Sequence, residues 1–365
     1  MSSSMDVEAS GGAADERGHT MVPPKKKQIR WGLLLFYAAF MAVGTIGGPL
    51  LQRLYFIHGG SRKWLSSCLQ TIGFPFMFVP LFYLYTRRFG RRKTKFFIGP
   101  KLFFASAFMG MLVGVDNYLY SAGLASLPVS TSSLLFATQL AFTAIFAFII
   151  VRQKFTFYSI NSVILMTLGA VVLALHTNND RPPGVSHGKY FMGFFFTLAG
   201  AVLLGFILPC IEFCYSKAGQ AVTYTVVMQF QVVFTLSGTI FCLIGMAINN
   251  DFQIIPREAK DFEMGEVKYY VVIVSSAIVW QFLFIGTLGI VYCSSSLFAG
   301  ILSSVLLPLT QVAAVIAFDE KFTGEKGISL ALCLWGFTSY FVGEYKRAGR
   351  QVPSIEPEEV EDDGF

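Results

Sequence analysis

Asp116 and Asn117, Gln139, Glu212, and the neighbours Trp280 and Gln281 each interrupt a long apolar run. Polar and ionisable groups at membrane depth are costly, so each needs a partner or a function. Asp116 is a candidate proton carrier, because low dielectric favours a neutral carboxyl group. Two structural readings stand beside it: capping a local helix break, or pairing with an arginine such as Arg53. Glu212 precedes Lys217 by five residues. It can snorkel toward the water layer, or it can carry a proton or contact an amine.

Gln139 offers a primary amide, which both donates and accepts hydrogen bonds and suits a purine-like edge or a neutral polar ligand. The competing reading is an interhelical hydrogen bond. Trp280 lies away from the interfacial belts where membrane tryptophans concentrate, so its ring is either core packing or a flat stacking face. Gln229 and Gln231 are a weaker pair, two residues apart and so on different helix faces. The four histidines fall in tails or at loop edges, and no metal-ligand spacing, nucleophile elbow or phosphate-binding loop occurs. An enzyme is therefore not expected, nor a metal or other cofactor. The six cysteines, all within apolar runs, read as small buried residues.

These residues must be held by membrane helices. The chain is 54% hydrophobic and only 14% charged, and the charges cluster between apolar stretches of roughly 20 residues, the length that crosses a hydrocarbon core. The net charge of +6 is carried mostly at span ends and does not point to nucleic acid. Ten spans are read at 31–51, 64–86, 100–122, 128–150, 157–176, 190–216, 222–248, 267–291, 294–318 and 327–345. Basic residues favour one side: the stretch between the second and third spans alone holds Arg87, Arg88, Arg91, Arg92, Lys93 and Lys95. This bias places both termini in the cytoplasm.

Lys154-Phe155-Thr156 recurs as Lys321-Phe322-Thr323, 167 residues on, and Gly169 and Gly336 follow each copy by the same interval. The copies close the fourth and ninth spans, so each half contains five helices. An odd number forces the second half to insert upside down, and such inverted repeats place a site between the halves. Pro49, Gln52 and Tyr55 are matched by Pro209, Glu212 and Tyr215, suggesting interrupted, site-lining helices at both prolines. The expected fold is all-α: ten transmembrane helices in two inverted five-helix repeats, 30–176 and 177–347. Residues 1–29 and 348–365 are expected to be disordered cytoplasmic tails.

Gly114-Val-Asp-Asn-Tyr-Leu-Tyr120, Leu127-Pro-Val-Ser-Thr-Ser-Ser-Leu-Leu135, Gln139-Leu-Ala-Phe-Thr143, Lys154-Phe-Thr156, Arg53-Leu-Tyr-Phe56 and Gln70-Thr-Ile-Gly73 together resemble the plant purine permease family. That family lies within the drug/metabolite transporter superfamily, and the likeness spans nearly the whole membrane domain. It implies proton-coupled uptake of adenine-like purines and cytokinins in a multi-pass protein, with the plasma membrane as the expected location. Transport of other nitrogen heterocycles or metabolites, such as alkaloids, vitamin B6-type compounds or nucleosides, is the alternative. With the resemblance, Gln139, Trp280, Gln281, Asn117 and Glu212 are the expected substrate contacts. Glu212 and Asp116 are the expected proton-coupling carboxylates. The expected partners are the small-molecule substrate, protons and the lipid bilayer.

Overall fold

A computed structural model describes residues 31–88, 97–153, 155–175, 186–219, 222–318 and 324–349. The Lys154 and 321–323 motif residues, the expected tail at 1–29 and residues 350–365 lie outside these. All regular structure among the described residues is helical. In chain order the α-helices are α1 (Trp31–Ile57), α2 (Lys63–Leu69), α3 (Phe78–Arg88), α4 (Pro100–Leu124), α5 (Val129–Ala137), α6 (Gln139–Val151), α7 (Phe157–Leu175) and α8 (His187–Ser216). They continue as α9 (Tyr224–Ile248), α10 (Asp251–Asp261), α11 (Glu266–Cys293), α12 (Ser296–Phe318) and α13 (Gly324–Gly349), the last running two residues into the stretch read as a tail.

Seven stretches are long and apolar enough to cross a membrane: α1, the 63–83 stretch holding α2, α4, α8, α9, α11 and α12. Three shorter apolar helices, at 139–151, 157–169 and 327–343, accompany them. Large apolar side chains point outward, Phe148 at 61%, Trp335 at 70% and Ile316 at 76% exposed. In a soluble protein such a surface would aggregate; here it is the lipid-facing perimeter of a multi-pass helical membrane protein.

The sequence predicts interruptions at the two prolines, yet α1 and α8 run unbroken through Pro49 and Pro209. The breaks fall elsewhere. The second span stops as an α-helix at Leu69, turns through residues 70–73, and resumes as a 3₁₀ turn at Phe74–Met77. The apolar stretch expected to span at 128–150 is broken at Thr138 into α5 and α6, and the Thr138 hydroxyl donates to the Leu135 carbonyl at 2.6 Å. A backbone freed from the regular ladder in a membrane must be satisfied by protein, and side-chain hydroxyls supply part of that. A short polar helix, α10, also lies between α9 and α11. There Glu258 accepts from the Tyr55 and Tyr269 hydroxyls and from Ser61 N at 3.0 Å, tying α10 to α1 and α11.

Close approach between helices is set by glycines, as expected where packing rather than water drives association. α1 lies along α11, and α8 along α4. α7 and α13 pair by an exchange of contacts. A methyl added at Gly169 would stand 3.2 Å from the Ser329 carbonyl oxygen and 3.4 Å from Leu332 Cβ. One added at Gly336 would stand 3.1 Å from the Ser162 carbonyl oxygen and 3.4 Å from Leu165 Cβ. Each of these three residue pairs, 169/336, 162/329 and 165/332, is separated by the same 167 residues as the sequence repeat.

Candidate substrate cavity

The helices line a partly open cavity. Helical periodicity selects its walls. Met41, Thr45 and Pro49 come from α1; Val113, Asp116, Asn117 and Tyr120 from α4; Leu204, Ile207, Leu208 and Ile211 from α8. From α11 come Trp280, Leu283, Phe284, Thr287 and Leu288. Gln70, at the end of α2, and Gln139, the first residue of α6 just past the Thr138 break, complete the polar lining with Ser303 of α12. Phe136, Phe234 and Leu307 add apolar wall.

The cavity has two chemical characters. Its apolar wall is built by α8 and by the Phe284–Leu288 part of α11. Its polar groups come mainly from α1, α4 and α6, with Gln70, Thr287 and Ser303 beside them, and several are bare. Thr45 Oγ1, Asp116 Oδ1, Asn117 Nδ2 and Gln139 Oε1 are buried and find no hydrogen-bond partner among the described residues. A buried polar group without a partner costs roughly 1–3 kcal/mol. Native structures keep few such groups, and these four belong to residues that line one cavity, which suits a polar ligand. The set includes a carbonyl oxygen, an amide nitrogen, a hydroxyl and a carboxyl group. It complements a flat heterocycle carrying both donors and acceptors.

Trp280 supplies the flat face. It is 6% exposed and meets Tyr120 edge to face, with centroids 5.9 Å apart and planes at 79°. Tyr120 in turn meets Phe136 at 4.9 Å and 77°. This aromatic row fixes the indole orientation beside the polar groups. Among the described residues no three His, Cys, Asp or Glu side chains converge as a metal-ligand set.

Of the sequence candidates, Asp116, Asn117, Gln139 and Trp280 are brought together on the cavity. Gln281 and Glu212 are not among the residues lining it. Gln281 follows Trp280, about 100° further round the helix, and faces Gly73, where an added methyl would stand 3.0 Å from its Cβ. Both of its amide atoms are buried without a partner among the described residues. Glu212 follows Ile211, so it sits beside the apolar stripe of α8 rather than in it. It is half-buried, and its Oε2 accepts from Ser296 N at 2.7 Å, satisfying a free amide at the start of α12. Gln229 Oε1 accepts from Ile98 N at 2.7 Å, and neither it nor Gln231 lines the cavity.

Thr45, Gln70, Tyr120, Thr287 and Ser303 were not singled out by the sequence as contacts. Thr45 and Pro49 share a face at i, i+4, and that spacing was the available signal. Gln70 was visible as a polar residue in an apolar run, but nothing in the sequence located the helix break that turns it inward.

A family model for purine nucleobase transmembrane transport matches residues 32–350. Purine permease 3 of Arabidopsis thaliana is 49% identical over 335 residues, spanning 90% of this chain and 95% of that protein. Purine permease 2 of the same plant is 48% identical over 330 residues, with 86% and 92% covered. Probable purine permease 11 is 33% identical over 317 residues, covering 87% and 84%. A solved crystal structure covers 87% of this chain and 99% of its own at a TM-score of 0.50 and 14% identity, which is a likeness of fold alone.

Proposed function

The chain belongs to the purine nucleobase transmembrane transport family, and from that premise we propose that it is a proton-coupled uptake carrier for adenine-type bases and cytokinins. The observation that carries this reading is the cluster of bare groups on Asp116, Asn117 and Gln139 beside the Trp280 ring. Relatives this similar are permeases, not enzymes, so the task of the site is to bind and release. A purine edge gives Asn117 Nδ2 an acceptor and Gln139 Oε1 a donor, while its ring plane packs against the indole. Each buried group that gains its missing partner contributes to affinity without a net charge entering the membrane.

The architecture proposed for this task is ten membrane-crossing segments in two inverted halves, 30–176 and 177–347. Its support is the exchanged contacts of Gly169 and Gly336 and the matching of α1 on α11 by α8 on α4. The two prolines, Pro49 and Pro209, occupy equivalent places in that scheme. Alternating access then moves one half against the other around a site held between them. The basic residues between the second and third spans favour cytoplasmic termini, and the plasma membrane is the proposed location.

The two intramembrane carboxyl groups are the candidates for proton coupling, Asp116 first and Glu212 second. Asp116 stands in the cavity, so its protonation state changes what the ligand meets. Glu212 stands at the start of α12, so its protonation state bears on how α8 holds that helix. A proton drives uptake only if protonated and deprotonated forms bind purine, or favour the two openings, unequally. Purified protein in liposomes tests the reading: labelled adenine uptake rises with an inward proton gradient. Uptake indifferent to the gradient removes the coupling, and absence of uptake removes the substrate.

A further inference from the structure

Two amide side chains converge on a single hydroxyl at one edge of the cavity. Gln52 Nε2 donates to Ser66 Oγ at 2.6 Å and to Ser121 Oγ at 2.8 Å. Gln70 Nε2 donates to the same Ser121 Oγ at 3.0 Å and to the Asn117 carbonyl at 3.3 Å. Close by, Arg53 Nη1 donates to the Leu124 carbonyl at 3.2 Å. These bonds run from the end of α1 and from α2 to the last two turns of α4. Ser121 is fully buried and both glutamines are nearly so.

We propose that Gln70 is a gate-positioning residue: with Gln52 it clamps α1 and α2 onto α4 at Ser121, closing the cavity on the side where α1 ends and α2 begins. This is the external side in the orientation given above, and the proposal rests on the transport reading. Three observations carry it. Gln70 lines the cavity while bonding to the seam, so it touches both the site and its closure. It sits in the turn after α2, before the 3₁₀ segment, where its backbone is not locked into a continuing helix. Gln52 Oε1 is buried and has no partner among the described residues, so the seam is built from hydrogen bonds yet is not fully satisfied. A closure of that kind holds firmly and still opens when one donor is drawn away. A ligand acceptor beside Asn117 offers Gln70 Nε2 another partner.

A reporter cysteine at Leu283, a half-buried cavity residue, tests the closure. The six native cysteines are not among the lining residues. A charged, membrane-impermeant maleimide is applied to ligand-free protein in right-side-out and inside-out vesicles. Loss of one or two hydrogen bonds predicts labelling about threefold to tenfold faster in Ser121→Ala and Gln70→Ala, from one side of the membrane only. Gln52→Met, which removes the other amide, should behave alike and serves if Ser121→Ala folds poorly. Ser106→Ala is the control, since that hydroxyl bonds within its own helix to the Phe103 carbonyl. The double variant Gln70→Ala/Ser121→Ala should accelerate labelling by less than the two single effects combined, because the Gln70–Ser121 bond is lost only once and only the Gln70 bond to the Asn117 carbonyl is additional. Labelling at the control rate, equal acceleration from both sides, or additive effects in the double variant would each overturn the proposal. The labelling is done without purine, so a failure of adenine to bind would defeat the transport reading while the accessibility of Leu283 still decides whether the clamp closes the cavity.

Discussion

The Trp280 indole lies across the α1 backbone at Gly48: a methyl placed on Gly48 would stand 2.8 Å from its Cε2 and 2.9 Å from its Cδ2. The ring therefore holds its place in the cavity because residue 48 has no side chain. Gly48→Ala must push either the indole or the helix aside, an overpacking that typically costs about 1–3 kcal/mol. Adenine uptake is expected to fall about tenfold or more, since small displacements of a binding face are expensive. Gly32→Ala on the same helix, with nothing within 4 Å of the added carbon, should transport as the parent does. Kinetic uptake assays on the two variants check this, and parent-like kinetics for Gly48→Ala would remove Trp280 from the site.

Gln139 separates binding from folding. Its Oε1 is already bare, so replacing the amide by leucine removes a cost that the empty protein bears. Gln139→Leu is expected to keep or raise the melting temperature while weakening adenine affinity about tenfold to a hundredfold, the usual effect of leaving a ligand group unpaired. Calorimetric binding and thermal unfolding, measured on one preparation, read both signs. Unchanged affinity would place the purine elsewhere.

The two carboxyl groups should part company. Asp116→Asn keeps the shape of a cavity-lining side chain but cannot take up or release a proton, so adenine uptake should continue and lose its dependence on the inward proton gradient. Glu212→Ala removes the acceptor of Ser296 N and should cost about 1 kcal/mol, as lost helix caps do, lowering the melting temperature by a few degrees. Uptake across a series of imposed gradients distinguishes them. Gradient dependence surviving in Asp116→Asn and vanishing in Glu212→Ala would transfer the coupling role to Glu212.

Residues that face the cavity were legible where their cost was legible. Asp116, Asn117 and Gln139 announce themselves because polar groups in a 20-residue apolar run demand a reason. Trp280 does so because it is far from an interfacial belt. Gln281 carried the same signal and sits off the lining, since hydropathy reports depth in the membrane and not rotation about the helix axis. Rotation needed the companions of each residue: Leu204, Ile207, Leu208 and Ile211 define a stripe on α8 that leaves Glu212 to one side. The helix breaks were misplaced for a related reason. Proline is the visible breaker, but Pro49 and Pro209 lie in helices that neighbouring helices support, whereas the break at Thr138 is made by an ordinary threonine. α10 was missed because a polar, eleven-residue helix looks like a loop in a sequence dominated by apolar runs.

The internal repeat predicts paired costs. Gly169→Ala and Gly336→Ala each push a methyl to within 3.2 Å and 3.1 Å of a backbone carbonyl on the partner helix, and carbonyls move less readily than side-chain tips. Each substitution should destabilise by about 1–2 kcal/mol, Gly336→Ala somewhat more because its methyl also meets Met166 Cγ at 2.9 Å. Denaturation in matched detergent measures them. A large cost at one glycine and none at the other would show that α7 and α13 are not related as two copies of one element.

Labelled adenine uptake by purified protein in liposomes, comparing the parent with Asn117→Leu at several inward proton gradients, tests the assignment of the cavity most directly. The predicted result is saturable parent uptake that rises with the gradient, and an apparent KM raised about tenfold or more in Asn117→Leu. Adenine uptake with parent KM in Asn117→Leu, or no adenine uptake by the parent protein, would contradict it.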